Sequence, residues 1–256
     1  MPAAPSSARS DALSSAEPGA VRPEVEPGPP GAGWESPVDV HVAGLDAVGV
    51  AVAHALAGAG AHRMALWDPR PVDAANLGTG LLPGDLGRPR ARALERRLLD
   101  VASGLRVYAH HGPLPVLVGQ ASVAVGDVLD ADLAAQALAA DHPLLPVHVG
   151  PRAVTVGPWC APDVVGCPLC SLPADPVGPP GRRSARGRAT SSGESGAAAV
   201  DVLTAQRAAV LVADALRAGP SAGVVRADRA SGRTRRARVR PRAGCACDPD
   251  ALAWGT

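Results

Sequence analysis

The sequence has no phenylalanine and no lysine, and only 2% of its residues are aromatic. A core built on stacked rings is therefore excluded. It must come from Ala, Val and Leu, and an apolar content of 46% supplies them. Every long basic side chain is Arg, and the abundance of Ala, Arg, Gly and Pro is what a GC-rich genome encodes. Formal net charge is only +1, which argues against a nucleic-acid or membrane partner held by overall charge. No apolar run approaches the ~18 residues that a membrane span needs. The N-terminus lacks a basic start followed by an apolar stretch, so a secretory leader is not expected and a cytoplasmic setting is. Five cysteines in that setting point to metal or chemistry before disulfides.

What is present falls into three parts. Residues 1–35 are rich in Pro, Ser, Ala, Gly and Glu without periodicity, and read as a disordered tail. Residues 36–248 read as one α/β domain, and 249–256 as a closing tail. Within the domain, strands are expected at 38–43, 62–67, 105–108, 121–126, 145–149 and 153–156. Helices are expected at 47–59, 87–102, 131–140 and 197–217, and a hairpin at 223–226 and 234–240. Residues 178–196 read as a mobile linker. Strands alternating with helices predict a Rossmann-like, doubly wound, mostly parallel sheet, here closed by a C-terminal antiparallel hairpin and a zinc-tied tail.

The stretch VDVHVAGLDAVGVAVAHALAGAGAHRMALWDP opens that domain as strand, glycine turn, helix, strand, aspartate. Backbone N–H groups at such a turn, with the helix dipole, can hold phosphate. An acid at the end of the second strand can bind ribose hydroxyls, and Asp68 stands there, 24 residues after Gly44. The competing reading is that Gly44 and Gly49 only permit a tight turn and close helix packing. The chain resembles the ThiF/HesA/MoeB family, bacterial relatives of the ubiquitin-activating enzymes. GLDAVG, WDPRPVDAANLGTG and LGRPRARA follow the family's glycine loop, its Asp-x-Asp with Asn-Leu-x-Arg-Gln, and its Gly-Arg-Pro-Lys, in the same order. VGDVLD resembles the family's Asp-x-x-Asp, through Asp127 and Asp130.

The resemblance implies an ATP-dependent adenylyltransferase acting on the C-terminal carboxylate of a small carrier protein. It implies that Gly44, Gly49, Asp68, Asn76 and Arg90 bind the nucleotide, Asp68 at the ribose and Asn76 and Arg90 near the phosphates. It implies that Asp130 holds magnesium, so that Asp130 and Arg90 carry the catalysis. A homodimer is a further implication. The departures cluster at the phosphates. Asp46 replaces a loop glycine, Arg70 replaces the second acid of Asp-x-Asp, and Thr79-Gly80 replace Arg-Gln. They point to a degenerate phosphate site.

Cys167-x-x-Cys170 and Cys245-x-Cys247 form two close pairs suited to a tetrahedral zinc with four thiolates, with redox thiols as the alternative. The second pair, and the text before the first, resemble actinobacterial ThiF-like proteins that accompany azole-forming cyclodehydratases. Cys160 sits in an apolar GPWCAP context and reads as a buried thiol rather than a nucleophile. His41 and His148 read as core or edge residues, and His110 and His111 as loop residues. Arg236, Arg238, Arg240 and Arg242 recur at period two, on one strand face. A solvated face is the plain reading of these arginines; as a binding surface without aromatic interleaving, an acidic peptide suits them better than nucleic acid. Two readings of function stand: an activating enzyme with ATP, Mg and Zn, or a zinc-stabilised scaffold that binds a precursor or leader peptide for a cyclodehydratase. A dinucleotide oxidoreductase ranks last, for want of a hydride-transfer constellation.

Overall fold

A computed structural model describes residues 39–112, 119–127, 131–171, 200–241 and 245. The tails at 1–35 and 249–256, the linker at 178–196, Asp130, Arg242 and Cys247 lie outside the described residues.

Eight strands form one sheet: β1 (Asp39–Ala43), β2 (Arg63–Trp67), β3 (Arg106–His110), β4 (Ala121–Gly126), β5 (Leu144–Val149), β6 (Ala153–Val156), β7 (Gly223–Asp228) and β8 (Thr234–Arg238). Their order is β3-β2-β1-β4-β5-β6-β7-β8. The first five run parallel and the last three antiparallel. The antiparallel part thus begins at the β5–β6 hairpin, earlier than expected, because Gly150 and a two-residue turn leave no room for a crossover helix. The helices are α1 (Ala47–Gly58), α2 (Arg90–Val101), α3 (Ala131–Ala139), the single turn α4 (Pro168–Ser171) and α5 (Val202–Ala218).

Small residues decide the packing. α1 reads AVGVAVAHALAG and buries Ala, Val and Gly on nearly every side, so it can pack closely against α5 on its outer side as well as on the sheet. One continuous core joins it to α2 and α5 on one face of the sheet. α3 covers the other face at β4 and β5, in a second core of Leu133, Ala134, Ala137, Leu144 and Cys160. Cys160 lies inside it, 1% exposed, its thiol meeting the Ala134 carbonyl at 3.3 Å. That is the buried thiol the apolar context implies.

Most element boundaries shift by a residue or two from the expectations, and three of the differences have a local cause. α2 starts at Arg90, not residue 87, because Pro89 is its N-cap and cannot supply the N–H of an earlier turn. α5 starts at Val202, not 197, because Asp201 caps it and accepts from the Thr204 N–H at 2.8 Å. β8 stops at Arg238, so the period-two arginine face is shorter than expected. His41 also differs from a satisfied core histidine. Its Nδ1 meets Ser122 Oγ at 3.2 Å, but its buried Nε2 has no hydrogen-bond partner among the described residues. Burial, with His110 and His142 nearby, lowers its pKa to about 4.

Candidate functional site

β1 leads through α1 to β2 on one side, and β4 leads through α3 to β5 on the other. The loops leaving β1 and β4 part at this reversal, the usual place for a ligand in such sheets. Gly44 and Asp46 leave β1, and Asp127 leaves β4.

The glycines are required by close backbone approach. Gly44 has φ +84°, and a Cβ there would lie 1.9 Å from the Val125 carbonyl oxygen of β4. A Cβ on Gly49 would lie 1.9 Å from the Gly44 carbonyl oxygen. Both positions are explained by packing alone, before any ligand is considered.

The acid in the loop has a definite task. Asp46 is the N-cap of α1 and accepts from the N–H groups of Val48 at 2.9 Å and Gly49 at 3.0 Å. These are the donors a phosphate would use at a helix N-terminus. Burial raises the Asp46 pKa, with its two N–H donors and Arg70 opposing the shift. The signal in the sequence is an Asp immediately before an apolar helix, which reads as a cap before it reads as a damaged glycine loop.

Asp68 is 2% exposed at the end of β2. Its Oδ2 accepts from the Leu45 N–H at 2.8 Å, so it clips the glycine loop to β2. Arg70 covers it, giving its backbone N–H and Nε to Oδ1 at 3.0 Å each, and Nη2 to Oδ2 at 2.8 Å. Burial pushes the Asp68 pKa up, but the Arg70 guanidinium and the N–H groups of Leu45 and Arg70 outweigh it and hold the carboxyl below its ordinary value. Arg70 is itself in the field of Asp46 and Asp127, which raise its pKa after the leading contribution from Asp68. The residue standing where the second acid was expected therefore occupies the carboxylate that was expected to bind ribose. Its side chain is 57% exposed, so it can leave without breaking the core.

Arg90 is 5% exposed, and the structure brings it to Asp68. Its Nη1 is 3.5 Å from Asp68 Oδ2, its Nη2 donates to Asp73 Oδ2 at 2.8 Å, and its Nε to the Pro71 carbonyl at 3.0 Å. Asn76 joins the same loop by a reciprocal cap. Its Oδ1 accepts from the Asp73 N–H at 3.0 Å, and Asp73 accepts from the Ala75 N–H at 2.9 Å. Thr79 closes the turn on the Asn76 carbonyl at 2.7 Å. Gly44, Gly49, Asp68, Arg90 and Asn76 thus come together in one network; Asp130 is outside the described residues.

Sequence reasoning missed Asp85, which anchors this loop from below. It is fully buried, with Arg96 at 2.7 Å on one oxygen and Arg97 at 3.0 Å on the other, and it accepts from the Leu82 N–H. The RR dipeptide in α2, two turns beyond Pro89, was the available signal.

The cysteines converge elsewhere. Gly166, at φ +98°, lets the chain pass against the Val239 carbonyl beyond β8. Cys167 and Cys170 then share the α4 turn, with Sγ atoms 3.9 Å apart, and Cys245 lies 3.6 Å from Cys167. All three sulfurs lie within 4.8 Å of one another. A disulfide needs about 2.05 Å between sulfurs, whereas tetrahedral thiolates about 2.3 Å from a zinc lie about 3.8 Å apart. The spacing is that of a metal site.

The ThiF family model matches residues 36–138. No curated protein sequence matches the chain. Similar solved structures include E. coli MccB, at 17% identity and TM-score 0.66, covering 82% of this chain and 64% of that one. The microcin C7 biosynthetic enzyme MccB in complex with N-formylated MccA follows at 17% and 0.65, covering 82% and 67%. E. coli MccB with ATP aligns at 15% and 0.62, covering 82% and 66%. This chain therefore spans 64% of the length of the first of these, and the likeness at such identity is one of fold. Among the described residues, no helix is long and apolar enough to cross a membrane.

Proposed function

The chain carries a ThiF family domain over residues 36–138, and from that premise we propose that it is an adenylyltransferase-type activating protein for the C-terminus of a precursor peptide or small carrier protein. The observation that carries this reading is Asp68, buried at the β1/β4 switch, holding the glycine loop through Leu45 and facing Arg90. ATP, with Mg, would supply the adenylyl group that activates a carboxylate. The ribose end of the site fits it once Arg70 swings out and Asp68 accepts a ribose hydroxyl. Asn76 and Arg90 border the space beyond, and Asp130 is the proposed magnesium ligand. The phosphate end does not fit as it stands, because the Asp46 carboxylate holds the helix N-terminal donors.

That misfit favours a second reading: a scaffold that holds a leader or precursor peptide for a partner enzyme. Relatives in fold include MccB solved with ATP and MccB solved with its peptide MccA, and both readings take a peptide as partner. Calorimetric titration with Mg-ATP separates them. Micromolar to sub-millimolar binding that Asp68→Asn removes supports the activating protein. Silence at millimolar ATP overturns it and leaves the scaffold.

We also propose that Cys167, Cys170 and Cys245, with Cys247 as fourth ligand, hold a structural zinc. It would tie the α4 turn to the C-terminal segment. Elemental analysis should find one zinc per chain, lost in Cys167→Ser. Purified protein without zinc, and unchanged by that substitution, would rule the site out.

A further inference from the structure

We propose that the open edge of β8 is a docking strand for an acidic peptide in extended conformation. This site is separate from the nucleotide crevice, and the inference holds whether or not ATP binds.

Among the described residues β8 ends the sheet, and all five of its residues are exposed. Its backbone orientation follows from two bonds. The Asp228 N–H donates to the Arg233 carbonyl, and the Val239 N–H to the Ala222 carbonyl, both at 2.9 Å. Hydrogen-bonded and non-bonded pairs alternate along an antiparallel ladder. Arg235 and Ala237 therefore spend their backbone groups on β7. Thr234, Arg236 and Arg238 turn theirs to the open edge. An added strand finds N–H and C=O groups about 7 Å apart, the repeat of its own alternate residues.

The charge on this edge is mostly positive, with Asp228 beside Arg226 and opposite Arg233 as a described carboxylate of the hairpin. Arg226, Arg233, Arg235, Arg236, Arg238 and Arg240 are all exposed. None of them makes an ion pair among the described residues. Arg226 and Arg235 stand directly opposite each other in the register, an arrangement that destabilises a strand pair. One charge suffices to protect an edge strand from aggregation. A like-charged cross-strand pair, with further arginines on both faces, exceeds that need and calls for an anionic partner. A peptide fits better than nucleic acid: β7 and β8 read GVVRAD and TRRAR, with no aromatic ring to stack a base. Arg236 and Arg238 lie on one face and Arg235 on the other, so acids on either side of an incoming strand find a guanidinium.

The test uses fluorescence anisotropy on the full chain without nucleotide. The probe is a short fluorescein-labelled peptide alternating Glu and Thr, beside its Lys-for-Glu counterpart and a single-stranded oligothymidine. The acidic peptide should bind, more weakly as salt rises, and the basic one should not. Arg236→Gln and Arg236→Pro lose the same charge, but only the second loses an outward N–H, which an edge strand tolerates. The proline variant should bind at least about tenfold more weakly than the glutamine variant. Thr234→Pro, which keeps every arginine, should weaken binding in the same way. Failure of the acidic peptide to bind overturns the proposal. So does equal binding by the proline and glutamine variants of folded protein, or oligothymidine binding as tight as the peptide.

Discussion

At the proposed nucleotide end, the described charges of the crevice have partners the chain itself provides. Asp68 has Arg70 and Arg90, Arg90 has Asp73, and Asp46 has the N-terminal donors of α1. At the β8 edge the arginines face solvent and make no ion pair among the described residues, with Asp228 only beside Arg226 on β7. Charges of the first kind hold loops in place and resist a newcomer, because a ligand must displace an existing bond. Charges of the second kind do little for the fold and remain available. A family motif therefore marks where a ligand once had a reason to sit. The state of its hydrogen bonds marks whether there is still room.

The contrast can be broken by substitution. The largest effect should come from Asp85→Ala, which removes a fully buried carboxylate from Arg96, Arg97 and the Leu82 N–H. Because both guanidinium groups reach solvent, urea denaturation should show a loss of about 1–3 kcal/mol. A loss below about 1 kcal/mol would mean that these charges are as dispensable as surface pairs. Asp46→Gly comes next. Glycine is a tolerated cap, so stability should fall by only a few tenths of a kcal/mol. Mg-ATP affinity should rise by about tenfold or more, since like charges some 4 Å apart repel by up to about 4 kcal/mol near a protein surface. Unchanged affinity would show that Asp46 is not the obstacle. The smallest effect is at the edge: Arg235→Thr removes the like-charged partner of Arg226 and should stabilise the protein by a few tenths of a kcal/mol. A destabilised variant would place Arg235 among the structural charges.

Much of this was legible in the chain. The order of strands and helices, the glycine turn, Asp68 at the end of β2 and the pairing of cysteines follow from period and spacing, which are local. The partnerships of Arg70 and Asp85 were not legible. Arg70 reads as a lost acid until the bend at Arg70 brings its N–H and guanidinium back onto Asp68. Asp85 reads as a loop residue until α2 places two guanidinium groups over it. The Arg226–Arg235 opposition exists only in the register of β7 on β8.

By itself the sequence determined that this is an α/β chain with a nucleotide-type opening, a core of Ala, Val and Leu, and thiols spaced for metal. Those properties depend on residue type and on separations of a few positions, where propensity and period act. Tertiary structure alone decided that Asp46 and Arg70 fill the two ends of the crevice, that three sulfurs from distant segments meet, and that the β8 arginines make no ion pair among the described residues. Whether a charge is satisfied depends on groups brought near by the fold, and electrostatic interaction reads distance in space, not along the chain.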